Sequence, residues 1–239
     1  SDRIACRLKS YDELLGDPEE TNRVLKISGL HTHVSRIPGR ETEQYNFMLS
    51  LDPLFAFGST TPIDDYGQNS VNNSRVRRVR YDFGEREGIS LIDALLPRYI
   101  TNLEELDQRD ILRLKTWRDK ILANEGDVAN FDKHFRLDNT GYHPVRSRPN
   151  LPPHGTYEAR APDSVPLEVG LGIAAVYLGA NRMLATGVPT TISNTHHHYH
   201  FSPIGVVLPT TETLRDLEQE AIHQGLASSR VNEYLGKLI

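Results

Sequence analysis

Cysteine is nearly missing from this chain: its 239 residues contain one, Cys6, so no disulfide can form within it. A lone thiol fits a reducing compartment and reads as inert rather than catalytic. No run of eighteen apolar residues free of charges occurs, and the first residues, Ser1-Asp2-Arg3-Ile4-Ala5-Cys6, lack the apolar core of a signal peptide. These absences predict a soluble, cytoplasmic protein with no membrane partner. An excess of positive charge is also lacking: the formal charge is −5 and the isoelectric point about 6.1, which argues against general nucleic-acid binding. The sequence holds no Gly-x-Ser-x-Gly elbow, no phosphate-cradling Walker loop, no Gly-x-Gly-x-x-Gly fingerprint and no internal repeat. Nucleophilic hydrolysis, P-loop chemistry and dinucleotide binding therefore lack support. Apolar residues make up 38%, enough for the core of one domain spanning 1–239.

What is present alternates between helical and extended patterns. A first helix is expected near Ser10 to Leu15, then a strand from Arg23 to Val34, in which His31 and His33 share a face. Glu41 to Phe57 carries Tyr45, Met48, Leu49 and Phe55 at helical spacing. Residues 59–88 read as a ligand loop holding the most basic segment, Arg75, Arg77, Arg78 and Arg80, which suits a small anion or a solvated face. Thr101-Asn102-Leu103-Glu104 has the form of a capping box opening a helix whose stripe is Leu103, Leu106, Ile111, Leu114, Trp117 and Ile121. Asn139 to Pro153 reads as loop. Ser164 is placed to cap a helix starting Val165-Pro166-Leu167, apolar nearly all round and hence expected to be buried behind the preceding strand. Thr190 to Leu208 reads as extended, followed by helices at Thr211 to Gln224 and Ser229 to Leu238.

Three constellations carry chemistry. Gly155-Thr156-Tyr157-Glu158-Ala159-Arg160 reads as a strand, so Glu158 and Arg160 project from one side, about 7 Å apart. A carboxylate and a guanidinium so aimed suit either a surface ion pair or a site for a divalent cation and a phosphate. His31 and His33 add two imidazoles, and with a carboxylate would make a divalent-cation ligand set, as in metal-dependent hydrolases, or serve as packed histidines. In the run His196, His197, His198 and His200, alternation puts His196, His198 and His200 on one face, fit for zinc, for phosphate when protonated, or for a structural role.

Three segments taken in order resemble the carboxylate-amine ligases of the glutamate-cysteine ligase superfamily. Ile27-Ser28-Gly29-Leu30-His31 is similar to that family's strand ending in a metal-binding histidine, which favours His31 over His33 as ligand. Leu51 to Phe57 and the loop to Ser74-Arg75 resemble its helix and substrate-contacting loop. Arg148-Pro149 through Gly155-Thr156-Tyr157-Glu158-Ala159-Arg160 and Asp163 resembles its most specific pattern. The resemblance spans residues 23–187 and implies an α+β, glutamine-synthetase-like fold, a curved antiparallel sheet backed by helices. It implies an ATP-dependent reaction in which a carboxylate, glutamate-like, is phosphorylated and an amine attacks the acyl phosphate. Implied with it are Mg2+ or Mn2+ on His31 and Glu158, ATP phosphate on Arg160 and Arg148, and substrate contacts from Arg75 and Ser74. Carboxylate and triphosphate repel, so cations and guanidiniums between them are what this chemistry needs. The family's glutamate-bearing first strand has no counterpart ahead of His31. The expectation is thus a fragment or split-gene product whose site a homo-oligomer or second polypeptide completes, or a relative that binds without turnover.

Overall fold

The computed structural model describes residues 2–19, 21, 29–58, 98–139, 143–160, 162, 164–195, 198–202 and 204–238. Its elements are α1 (Asp2–Leu15), β1 (Thr32–Ser35), α2 (Glu41–Ser50), a 3-10 segment (Asp52–Gly58), α3 (Leu103–Ala123), α4 (Val128–His134), β2 (Val145–Arg148), β3 (Thr156–Ala159), α5 (Leu167–Ala185), β4 (Thr190–Ile192), β5 (His200–Ser202), β6 (Gly205–Leu208), α6 (Thr211–Gln224), a 3-10 turn (Gly225–Ala227) and α7 (Ser229–Gly236). The class is α+β. Two three-stranded sheets, in the orders β1-β3-β2 and β4-β6-β5, are set among helices, the first antiparallel throughout and the second mixed. Among these elements no helix is long and apolar enough to cross a membrane.

Alternation along the first sheet decides what it buries. In β1, β2 and β3, Val34, Val145, Tyr157 and Ala159 turn to the main core, which also holds Tyr45, Phe47 and Leu49 of α2 and Ile173, Tyr177 and Leu184 of α5. Residues on the opposite pleat are His33, Arg146, Arg148, Thr156 and Glu158, so one sheet carries a hydrophobic floor beneath a charged face. The α2 helix is clamped behind that floor by the buried Gln44 amide. It donates to the Ser35 carbonyl at 2.8 Å and accepts from the Ile37 N–H at 3.0 Å, so neither polar atom is left unmet. A second cluster joins α1, α3 and α4 around Trp117, Ile121, Phe131, Phe135, Leu14 and Leu15. The buried Tyr199 and Tyr234 hydroxyls both end on Ser50, which ties the second sheet and α7 to α2.

Several expectations shift by small, physical amounts. The first helix extends back to Asp2. The cap of α3 is Asn102 rather than Thr101: its side chain accepts from the Glu105 N–H at 2.9 Å, and Glu105 reaches back to the Thr101 N–H. Ile111 leaves the core stripe, 45% exposed, while Leu106, Trp117 and Ile121 are buried. Ser164 does not cap α5, whose cap position is Pro166 with no side-chain bond. That helix packs on β1 and α2 through one face only. Leu167, Leu171 and Leu178 on its other side are 71%, 60% and 47% exposed, so its apolar content does not mean burial all round. The loop expected over 139–153 contains β2. The expected loop at 59–88, with Arg75, Ser74 and the basic run, lies outside the described residues, as do 22–28 of the expected first strand.

Candidate anion site on the first sheet

The register of the first sheet builds the candidate site. His33 of β1 and Arg146 of β2 both stand opposite Glu158 of β3, and Arg148 stands opposite Thr156. Directly opposed residues on antiparallel strands point to the same face, so the cross-strand row His33, Glu158, Arg146 is fixed by pairing alone. Two-residue steps along each strand then add His31, Arg160 and Arg148 to that face. The outcome is a carboxylate at the centre of a ring of cationic and imidazole groups.

Glu158 is 2% exposed. Its Oε1 meets His31 Nδ1 at 2.9 Å and Arg160 Nε at 3.4 Å, while its Oε2 accepts from Arg148 Nε at 2.8 Å and lies 3.9 Å from Arg146. Burial alone would raise the Glu158 carboxyl, but the His31 hydrogen bond and the charges of Arg146, Arg160 and Arg148 outweigh it and hold the group well below the carboxylate range. The same crowding acts on its neighbours with opposite sign. Burial, then the Arg160 charge, pushes Arg146 down to about 9. His33 is lowered mainly by burial, and its Nδ1 lies 3.0 Å from Thr156 Oγ1. Beside the row, Arg113 of α3 donates to Asp110 at 2.6 Å, both buried, with the Asp110 carboxyl raised by burial to about 7.

The Gly155 turn shapes one end of this face. Gly155 has φ +84°, a backbone conformation open to glycine, and a Cβ there would lie 3.0 Å from the Arg148 carbonyl oxygen. The close return brings Arg148 of β2 alongside β3, where its Nη1 also donates to the Asp138 carbonyl at 2.7 Å. Here a cavity of about 210 Å³ opens, lined by His33, Asp138, Arg148, Asn150 and Leu151.

Of the residues expected from sequence, the fold brings His31, Glu158, Arg160, Arg148 and His33 to one face. His198 is elsewhere: its Nε2 lies 3.4 Å from Glu233 of α7, and His196 and His197 fall outside the described residues. Arg146 also belongs to the row, on a strand inside the segment that reads as loop. The signal lay in Arg146-Ser147-Arg148, the same alternation that Glu158-Ala159-Arg160 shows. The guanidiniums fit a phosphate or carboxylate, since Arg pairs with either in bidentate fashion. A divalent cation is less well provided for: His31 and Glu158 are two donors, bonded to each other, and no group of three or more His, Cys, Asp or Glu able to hold a metal occurs among the described residues. Compared with known proteins, the chain matches no family model, no curated protein and no solved structure.

Proposed function

We propose that this chain carries the phosphate-handling part of an ATP-dependent carboxylate-amine ligase site, on a glutamine-synthetase-like sheet. In that reaction a substrate carboxylate oxygen attacks the γ-phosphorus of ATP and ADP leaves. The amine nitrogen then attacks the acyl carbon, phosphate departs with the former carboxylate oxygen, and the nitrogen loses a proton to leave an amide. The observation that supports this reading is the meeting of His31 Nδ1 and Arg160 Nε on one oxygen of Glu158, from two motifs far apart in the chain. Arg160 is the residue assigned to the transferring phosphoryl group, where a guanidinium offsets charge that grows in the transition state. Glu158 holds Arg160 and Arg148 in place, and Arg148 takes a phosphate or carboxylate oxygen. Because two donors do not make a Mg2+ or Mn2+ site, no step is assigned to a metal here. The further carboxylates that such a site needs would come from outside the described residues, from a second copy or from another polypeptide.

A second reading, a binding or assembly module without turnover, is favoured by that same two-donor limit. Purified chain given ATP, Mg2+, glutamate and a panel of amines separates the two: the ligase releases ADP only when acid and amine are both present, and Arg160→Ala lowers the rate at least 100-fold. Absence of ADP with retained nucleotide binding by calorimetry would leave the module. Tightly bound zinc or manganese lost on His33→Ala would favour a hydrolase using His31 and His33.

A further inference from the structure

The side of α5 that faces away from the core is apolar, with small residues between its leucines and one charge near each end. Successive helical residues turn by about 100°, which puts Glu168, Leu171, Gly172, Ala175, Leu178, Gly179 and Arg182 on one stripe, all within about 60° of Ala175. Every one of them is exposed, while Ile173, Tyr177 and Leu184 on the other side enter the core. Glycine is a poor helix former, so each one in the interior of a helix needs a reason. Gly170 has its reason within the chain, because a Cβ there would lie 3.3 Å from Leu30 Cδ2. At Gly172 and Gly179 a Cβ would meet nothing within 4 Å, so packing within the described chain does not require them. Glu168 and Arg182 form no ion pair and no side-chain hydrogen bond among the described residues.

We propose that this stripe is a homodimer interface, in which α5 packs antiparallel on α5 of a second copy about a two-fold axis at Ala175. The stripe is complementary to itself in charge and in size. Glu168 and Arg182 stand seven residues either side of Ala175, so the axis sets Glu168 of each copy level with Arg182 of the other, and two ion pairs close at once. Leu171 enters the hole between Ala175, Leu178, Gly179 and Arg182 of the second copy, and Leu178 the hole between Glu168, Leu171, Gly172 and Ala175. Each hole contains an alanine and a glycine, which lets the two backbones approach closely. A parallel pair would instead set like charges together at both ends. One helix face is small beside the roughly 800 Å² per partner of a standard interface, so the dimer is a reversible one. The proposal does not depend on the ligase reading. Because α5 packs on the core side of the first sheet, a copy docked here lies behind the charged face and adds no carboxylate to it.

The test is sedimentation velocity on the full chain from about 1 µM to about 200 µM, the range in which a small reversible interface associates. The parent should pass from monomer to dimer across it. Glu168→Arg and Arg182→Glu each set two pairs of like charges across the interface, and each should weaken dimerisation at least tenfold. An equimolar mixture of the two should dimerise like the parent, because every reversed charge then meets its opposite. Gly179→Leu puts a better helix former into open space in a single copy. It should keep or raise the thermal midpoint of dilute protein and abolish the dimer. That variant should also bind pyrophosphate like the parent, since the interface lies behind the charged face. A parent that stays monomeric throughout, a dimer that survives either charge reversal, or a mixture no more associated than its components overturns the proposal. Dimerisation of Gly179→Leu like the parent overturns it too, and so does loss of pyrophosphate binding together with the dimer, which would place the interface on the charged face.

Discussion

Burying a carboxylate in a strand costs free energy unless charge is brought to it, and at Glu158 three arginines and a histidine do so. Replacing Glu158 with Gln keeps the shape but leaves Arg146 and Arg160, both under a tenth exposed, facing each other across a neutral amide. Breaking a buried ion pair from one side costs about 3–5 kcal/mol, so urea unfolding of Glu158→Gln should show a loss of that size. The pH dependence follows from the direction of the shift. The folded Glu158 sits below its ordinary value of 4.5, so its contribution is complete above about that pH and is lost as pH falls below it toward the folded value. The parent's stability should therefore drop through that acid window with a slope that Glu158→Gln lacks. A mutant with the parent's acid slope would show that the depressed carboxyl is not Glu158. At this scale the sequence is informative where alternation is visible: Glu158 and Arg160 share a face by spacing alone, as do His31 and His33. Arg146 does not stand out in this way, because prolines and a glycine around a four-residue strand mask its period.

Elements show the same division. Long helices announce themselves through apolar spacing and caps, and α3 and α6 lie where spacing predicts, the cap of α3 moving by one residue because Asn102 and Glu105 compete successfully with Thr101 and Glu104. Strands of three or four residues carry too few alternations to be read, and neither the register of β1 with β3 nor the second sheet's parallel pair is encoded locally. The hairpin from Arg148 to Gly155 is where element geometry controls the site. Gly155→Ala would place a methyl 3.0 Å from both the Arg148 carbonyl oxygen and the Pro149 Cα in a left-handed backbone region. The conformational cost alone is about 1–2 kcal/mol. The expected outcome is a loss of at least that much in urea unfolding, together with weaker binding of inorganic pyrophosphate as Arg148 moves off Glu158. A variant that loses stability but binds pyrophosphate like the parent would show that the turn serves the fold and not the site.

Across the whole molecule, a chain of net charge −5 sets three of its 21 arginines, Arg146, Arg148 and Arg160, around one carboxylate on one sheet face, so the local field there opposes the sign of the net charge. The net charge repels an approaching anion at long range, while the row Arg146, Arg148, Arg160 attracts it at short range. Raising ionic strength from about 0.01 M to about 0.15 M shrinks the screening length from about 30 Å to about 8 Å, which removes the distant repulsion first and the partly buried attraction last. Pyrophosphate should therefore bind this protein with a salt dependence shallower than its charge alone would give, because two opposed contributions are screened together. Arg160→Gln should weaken binding at every ionic strength, since it deletes the short-range partner. Arg118→Gln, which removes a half-exposed guanidinium paired with Asp132 on the outside of α3, should leave the affinity at physiological salt unchanged. Equal losses in the two variants would mean that pyrophosphate responds to the protein's overall charge and not to the sheet face, and would remove the electrostatic ground on which a phosphate role for Arg160 stands.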